Sequence, residues 1–134
     1  MERARVRRIR HAVAVLSAVA VLAGLGPVTG ASAGPVTERA TGSCTGNTSW
    51  KLVVHRSGGR LSVVYRIIGG PARHRWTIFL DDNGVGFFAR SRTANRKGNL
   101  RVTDSTSNLP GKDVVSAAAS DRSTGESCIG SVTI

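Results

Sequence analysis

From residue 50 onward the hydrophobic positions recur every second residue. Trp50, Leu52 and Val54 alternate with Lys51 and His55, although Val53 interrupts the polar set. After Ser57-Gly58-Gly59, Leu61, Val63, Tyr65 and Ile67 alternate with Arg60, Ser62 and Arg66. A period of two places one set of side chains on each face of a strand, so these runs predict a hairpin with one buried face. Gly69-Gly70-Pro71 ends the second run. His74, Trp76, Ile78 and Leu80 resume the alternation, with Arg73, Arg75 and Thr77 on the opposite parity. Asp81-Asp82-Asn83-Gly84 predicts a tight turn, because Asn-Gly readily takes the positive φ angles of a two-residue hairpin loop. In the strand that follows, Val85, Phe87 and Ala89 are expected to face inward and Phe88, Arg90 and Arg92 outward.

Leu100 and Val102 mark a short strand, and residues 104–113 read as a longer connection. Val115, Ala117 and Ala119 form a further inward row. Propensity would also admit a helix there, but the short run following Pro110-Gly111 favours a strand. Cys128, Gly130, Val132 and Ile134 alternate as the last strand. Seven short strands without a long amphipathic helix predict an all-β, seven-stranded antiparallel immunoglobulin-like sandwich, with a small β-barrel as the alternative. Residues 34–43 are small and polar and read as a flexible leader, leaving 44–134 as the β-sandwich domain.

The N-terminus sets the compartment. Arg3, Arg5, Arg7, Arg8 and Arg10 stand against one acid, Glu2, before an apolar run over residues 12–25 and the small residues Ala31-Ser32-Ala33. That order predicts a cleavable signal peptide over residues 1–33. The apolar run falls short of the roughly 20 residues that a bilayer-spanning helix requires. The expected product is secreted or cell-wall associated, with no transmembrane segment after cleavage, and is of a size for one core. Removal of the signal peptide lowers the net charge from +11 to +7, with 14 Lys and Arg against 7 Asp and Glu remaining. Cys44 and Cys128 are the only cysteines, and in an oxidising exterior they predict a structural disulfide. It would close a loop of about 85 residues, worth roughly 4–5 kcal/mol in the chain-entropy model. The bridge requires the segment before the Trp50 strand to lie beside the start of the last strand.

Cys44-x5-Trp50, Trp76-x6-Asn83-Gly84-x2-Phe87-Phe88 and Gly125-Glu126-x-Cys128 together resemble a group of small secreted actinobacterial proteins of unassigned function with an immunoglobulin-like outline. The resemblance covers most of residues 44–134. Its motifs are structural, and it carries no catalytic or binding residues to this chain.

Chemistry is sparse. Nucleophilic catalysis needs a base near the nucleophile and a residue that orients the base. His55 and His74 are the only histidines after residue 33, and there is no GxSxG elbow. Asp81 and Asp82 are adjacent and face opposite ways, unlike a pair of carboxylates across a cleft. Asp81-x-Asn83 lacks the later acids of an EF-hand, and the glycine pairs lack the helix of a phosphate loop. No catalytic residue, metal or cofactor is therefore expected. The notable feature is cationic: Arg90, Arg92, Arg96, Lys97 and Arg101 cluster without an intervening acid. Arg73 and Arg75 lie on the strand expected to pair beside them. With Phe88, these residues predict a basic face for an anion, while a simply solvated surface is the plainer alternative. Single-stranded nucleic-acid sites carry several stacking rings, whereas Trp50, Tyr65 and Trp76 all have inward parity, so specific nucleic-acid binding is not expected. The expected partner is an anionic cell-envelope polymer or a secreted protein. The functional expectation is a non-catalytic binding module; an inhibitor-like scaffold acting through its loops is the second reading and a hydrolase the third.

Overall fold

The computed structural model describes residues 34–134; the expected signal peptide lies outside the described residues. Eight strands follow one another: β1 (Val36–Ser43), β2 (Ser49–Ser57), β3 (Arg60–Ile68), β4 (Arg75–Asp82), β5 (Val85–Thr93), β6 (Leu100–Ser107), β7 (Val114–Asp121) and β8 (Ser127–Thr133). They form two four-stranded antiparallel sheets, sheet A in the order β1-β2-β3-β6 and sheet B in the order β5-β4-β7-β8. The fold is a β-sandwich closed by the Cys44–Cys128 disulfide.

The count of seven is corrected to eight. The additional strand is β1, where a flexible leader was expected, and it pairs with β2 from Val36↔Arg56 to Ser43↔Ser49. Its mostly exposed residues carry no period-two hydrophobic signal. An edge strand needs a partner's backbone more than a buried face, so its sequence can stay polar. Leaving β1 aside, the remaining seven strands divide as β2-β3-β6 in sheet A and β5-β4-β7-β8 in sheet B.

The inward rows occupy the interior as the alternation predicts. Leu52, Val54, Leu61, Val63, Tyr65 and Ile67 from sheet A face Trp76, Ile78, Leu80, Val115, Ala117 and Ala119 from sheet B, all in one buried cluster. At one side of the sandwich, the Trp50 ring fills the space above two glycines. A Cβ on Gly42, its cross-strand neighbour in β1, would sit 2.7 Å from the ring, and one on Gly130 in β8 would sit 2.1 Å from it. Tyr65 packs 6.5 Å from Trp50, centroid to centroid, and its hydroxyl donates 2.8 Å to the Cys128 carbonyl. The disulfide holds the same side, with a Cα–Cα distance of 4.3 Å.

One departure from simple alternation matters for the surface. Asn83 and Gly84 both have positive φ, 50° and 81°, and form the two-residue loop between β4 and β5. Beyond it, Asp82 pairs with Val85 and Asp81 with Gly86, but Leu80 pairs with Phe88. Phe87 is thus an extra residue, a β-bulge, and it reverses the parity of the rest of β5.

The glycine slot is directly testable. Gly130→Ala is expected to lower stability by about 1–3 kcal/mol, the usual range for overpacking a core. Trp50→Phe in the same chain should recover part of that loss. Denaturant unfolding of both variants measures it, and an unchanged midpoint in the single variant would refute the close packing described.

Candidate functional site

The bulge disperses the expected basic face. Arg75 shares the outer face of sheet B with Thr77 and Phe79, whereas Arg90 pairs with buried Ile78 and Arg92 with buried Trp76. Arg90 and Arg92 therefore leave β5 on the inner side and reach solvent at the sheet edge. Phe88, expected outside, is 7% exposed and belongs to the core. The guanidinium carbons of Arg90 and Arg92 stand 6.0 Å and 5.4 Å from its ring centroid, within cation–π range. Arg73 precedes β4 with φ 59° and donates its backbone N–H to Asn95. Arg96 and Lys97 lie exposed in the turn between β5 and β6. Arg101 is in β6 and belongs to sheet A.

The concentrated positive charge lies instead on the outer face of sheet A. In register, Lys51 of β2 is opposite Arg66 of β3, and Arg66 is opposite Arg101 of β6. Three cations thus stand in one cross-strand row, at positions where Cβ atoms lie about 4.5–5.5 Å apart. Arg39 of β1 lies one row away, in line with Val53 and Val64. These four cations surround a shallow depression of about 270 Å³ floored by Val53 and Val64. Among the described residues no carboxylate shares this face: Glu38 and Asp104 have the inward parity of their partners Val54 and Val63. None of the four cations is in an ion pair, the only one among the described residues being His74–Asp121.

Apolar walls and charges of one sign concentrate the field that an approaching anion meets. Like charges directly opposite on neighbouring strands also destabilise a sheet, so the row opposes folding locally. Arg39, Lys51 and Arg66 were not singled out by the sequence, because they lie far apart along the chain and only strand register unites them. Their shared outward parity was the available signal.

A second depression of about 360 Å³ adjoins the row and is lined by Arg66, Ile67, Ile68, Asn95, Asn99, Leu100 and Arg101. Its rim is held by the turn before β6. The Asn95 side-chain oxygen accepts from the backbone of Lys97 and Asn99, each at 2.9 Å, and that of Asn99 accepts from Gly69 at 2.9 Å.

The histidines lie apart from this face's cationic row. His55 Nδ1 is 2.7 Å from Thr37 Oγ1 on the exposed side of β1–β2. His74 Nδ1 donates 2.6 Å to Asp121 Oδ2, and the Asp121 side chain is fully buried. Among the described residues no hydroxyl hydrogen-bonds the other ring nitrogen of His74. Burial by itself would raise the Asp121 carboxyl. Hydrogen bonds from His74, the Ser123 backbone and Thr124, with the charge of His74, outweigh it and hold the carboxyl below its ordinary value. Asp82 goes the other way: burial, then the charge and hydrogen bond of Asp113, then Asp81, push it up.

No protein-family model matches the chain, and neither a curated protein nor a solved structure does.

Asp121 makes the pH dependence of stability testable. Its folded-state carboxyl is lowered, so its contribution is complete above the unfolded value of about 3.9 and disappears as pH falls through the folded value. Asp121→Asn is expected to destabilise the protein by about 1–3 kcal/mol near pH 6, the scale of a lost charged hydrogen bond. The gap from the parent should narrow in acid. Melting curves from pH 6 to pH 2 check this, and a gap independent of pH would contradict it.

Proposed function

We propose that this protein is a secreted, non-catalytic binding module that holds an anionic cell-envelope polymer on the outer face of sheet A. The carrying observation is the Lys51–Arg66–Arg101 row, extended by Arg39, on a face without a carboxylate. Three strands place regularly spaced cations across the sheet, since neighbouring strands are about 4.8 Å apart. A polymer with repeated negative charges can contact several of them at once. Rows of hydroxyls continue the face: Thr37, Ser62 and Ser105 lie in register with His55 beyond the cations. The outward positions of these strands include no Phe, Tyr or Trp, which favours a flexible polyanion over single-stranded nucleic acid, whose bases need several stacking platforms. The resemblance to small secreted proteins is consistent with an envelope setting and assigns no ligand.

Retention on immobilised heparin, a model polyanion, tests the placement. Arg66→Ser/Arg101→Ser is expected to elute at clearly lower salt than the parent. Arg90→Ser/Arg92→Ser removes the same net charge and should elute close to the parent. Equal shifts in the two double variants would reduce the effect to net charge and overturn the assignment to sheet A.

The row should also trade stability for binding. Arg66→Thr is expected to raise unfolding stability by roughly 0.2–1 kcal/mol, the scale of a relieved like-charge cross-strand pair. A loss of stability in chemical denaturation at low salt would show that Arg66 is held by favourable contacts instead.

A further inference from the structure

We propose that the anion-binding face is specific for an anionic amphiphile: a phosphate or sulfate ester whose charged head is held between Arg66 and Arg101 while its alkyl chain enters the adjoining depression. This rests on the polyanion reading of the face and adds the nature of the group attached to the charge. The same two arginines line both depressions, one floored by Val53 and Val64, the other lined by Ile67, Ile68 and Leu100. They form a cationic divide with apolar surface on either side. Ile68 is the exposed apolar wall at 40% exposure, and it stands on the outward parity of β3 beside the row. A ligand carrying charge alone would leave that surface wet. One carrying charge and a short hydrocarbon segment would satisfy both.

The second depression is preformed. Gly70 donates its N–H 3.0 Å to the Gly98 carbonyl, and a Cβ on Gly98 would collide with the Gly70 backbone, so the loop after β3 and the turn before β6 touch directly. The Asn95 side-chain oxygen accepts within that turn, and the Asn99 side-chain oxygen accepts from Gly69 in the loop after β3. Both residues line the depression, and each carries an amide N–H group of the kind that donates to ester oxygens. A site whose walls are already fixed loses less freedom on binding than one that must form.

Calorimetric titration of the protein with n-octyl phosphate below its micelle concentration, against methyl phosphate, tests the inference. The octyl ester is expected to bind at least about tenfold more tightly, roughly what two buried methylenes supply. Ile68→Ser should bring the ratio close to one while leaving heparin retention unchanged. Arg66→Ser/Arg101→Ser should weaken both esters and heparin. Equal affinity for the two esters in the parent, with heparin retention intact, would overturn the amphiphile and leave the polyanion reading standing. Heparin retention unchanged in Arg66→Ser/Arg101→Ser would overturn the polyanion reading itself. Binding to vesicles of anionic phospholipid without affinity for the monomeric octyl ester would also refute the proposal, since it would mean a flat charged surface and no alkyl site.

Discussion

The two sheets are held in one arrangement by the wedge of Trp50 against Gly42 and Gly130. An indole in that position requires bare backbone on both neighbouring strands, one in each sheet. Tyr65 completes the arrangement by packing on Trp50 and donating to the Cys128 carbonyl, next to the disulfide. Covalent closure, aromatic packing and a buried hydrogen bond thus converge on one side of the sandwich. Spacing between the sheets, and with it the depth to which the other inward rows interlock, follows from that side. Interiors packed to crystal-like density transmit such a constraint across the whole core.

That scaffold makes the outer face of sheet A possible. A row of three cations opposes its own sheet, yet the inward faces of β2 and β3 are among the most thoroughly buried segments in the protein, with Leu52, Val54, Leu61 and Val63 all fully buried. Apolar burial at about 25 cal/mol per Å² readily exceeds the repulsion of a few exposed charges. Local conflict between folding and charge placement is commonly concentrated where a surface has a task. The opposite face of the molecule differs in kind. There Phe79 lies in one row with Ala89, Ala118 and Ile129, between a row of serine and threonine and a row of Gly86, Asp81, Ser116 and Ser131.

Much of the fold was legible because burial imposes alternation. Every inward residue expected in β2, β3 and β7 is buried, as are Trp76, Ile78 and Leu80 of β4, and the Asn83-Gly84 turn has the positive φ angles that its residue types suggest. β1 was illegible because an edge strand is specified by its neighbour's hydrogen-bonding groups. The reversed parity of β5 was hidden for a different reason: a bulge inserts one residue without altering composition, and from Phe88 onward inside becomes outside. The candidate site suffered from distance along the chain. Arg90 to Arg101 form a cluster in sequence that the fold separates, while Arg39, Lys51, Arg66 and Arg101 form a cluster in space that only register can assemble.

The arginines that left the expected face acquire another role. Sheet B ends at β5, whose free edge would offer unpaired backbone groups to any passing strand. Arg90 and Arg92 crowd that edge with positive charge, their guanidinium groups standing over the Phe88 ring. A second copy approaching edge to edge would bring the same charges against its own. Positive charge in this protein therefore divides between a broad face, the proposed seat of the anion, and a narrow edge where it opposes pairing with a second copy.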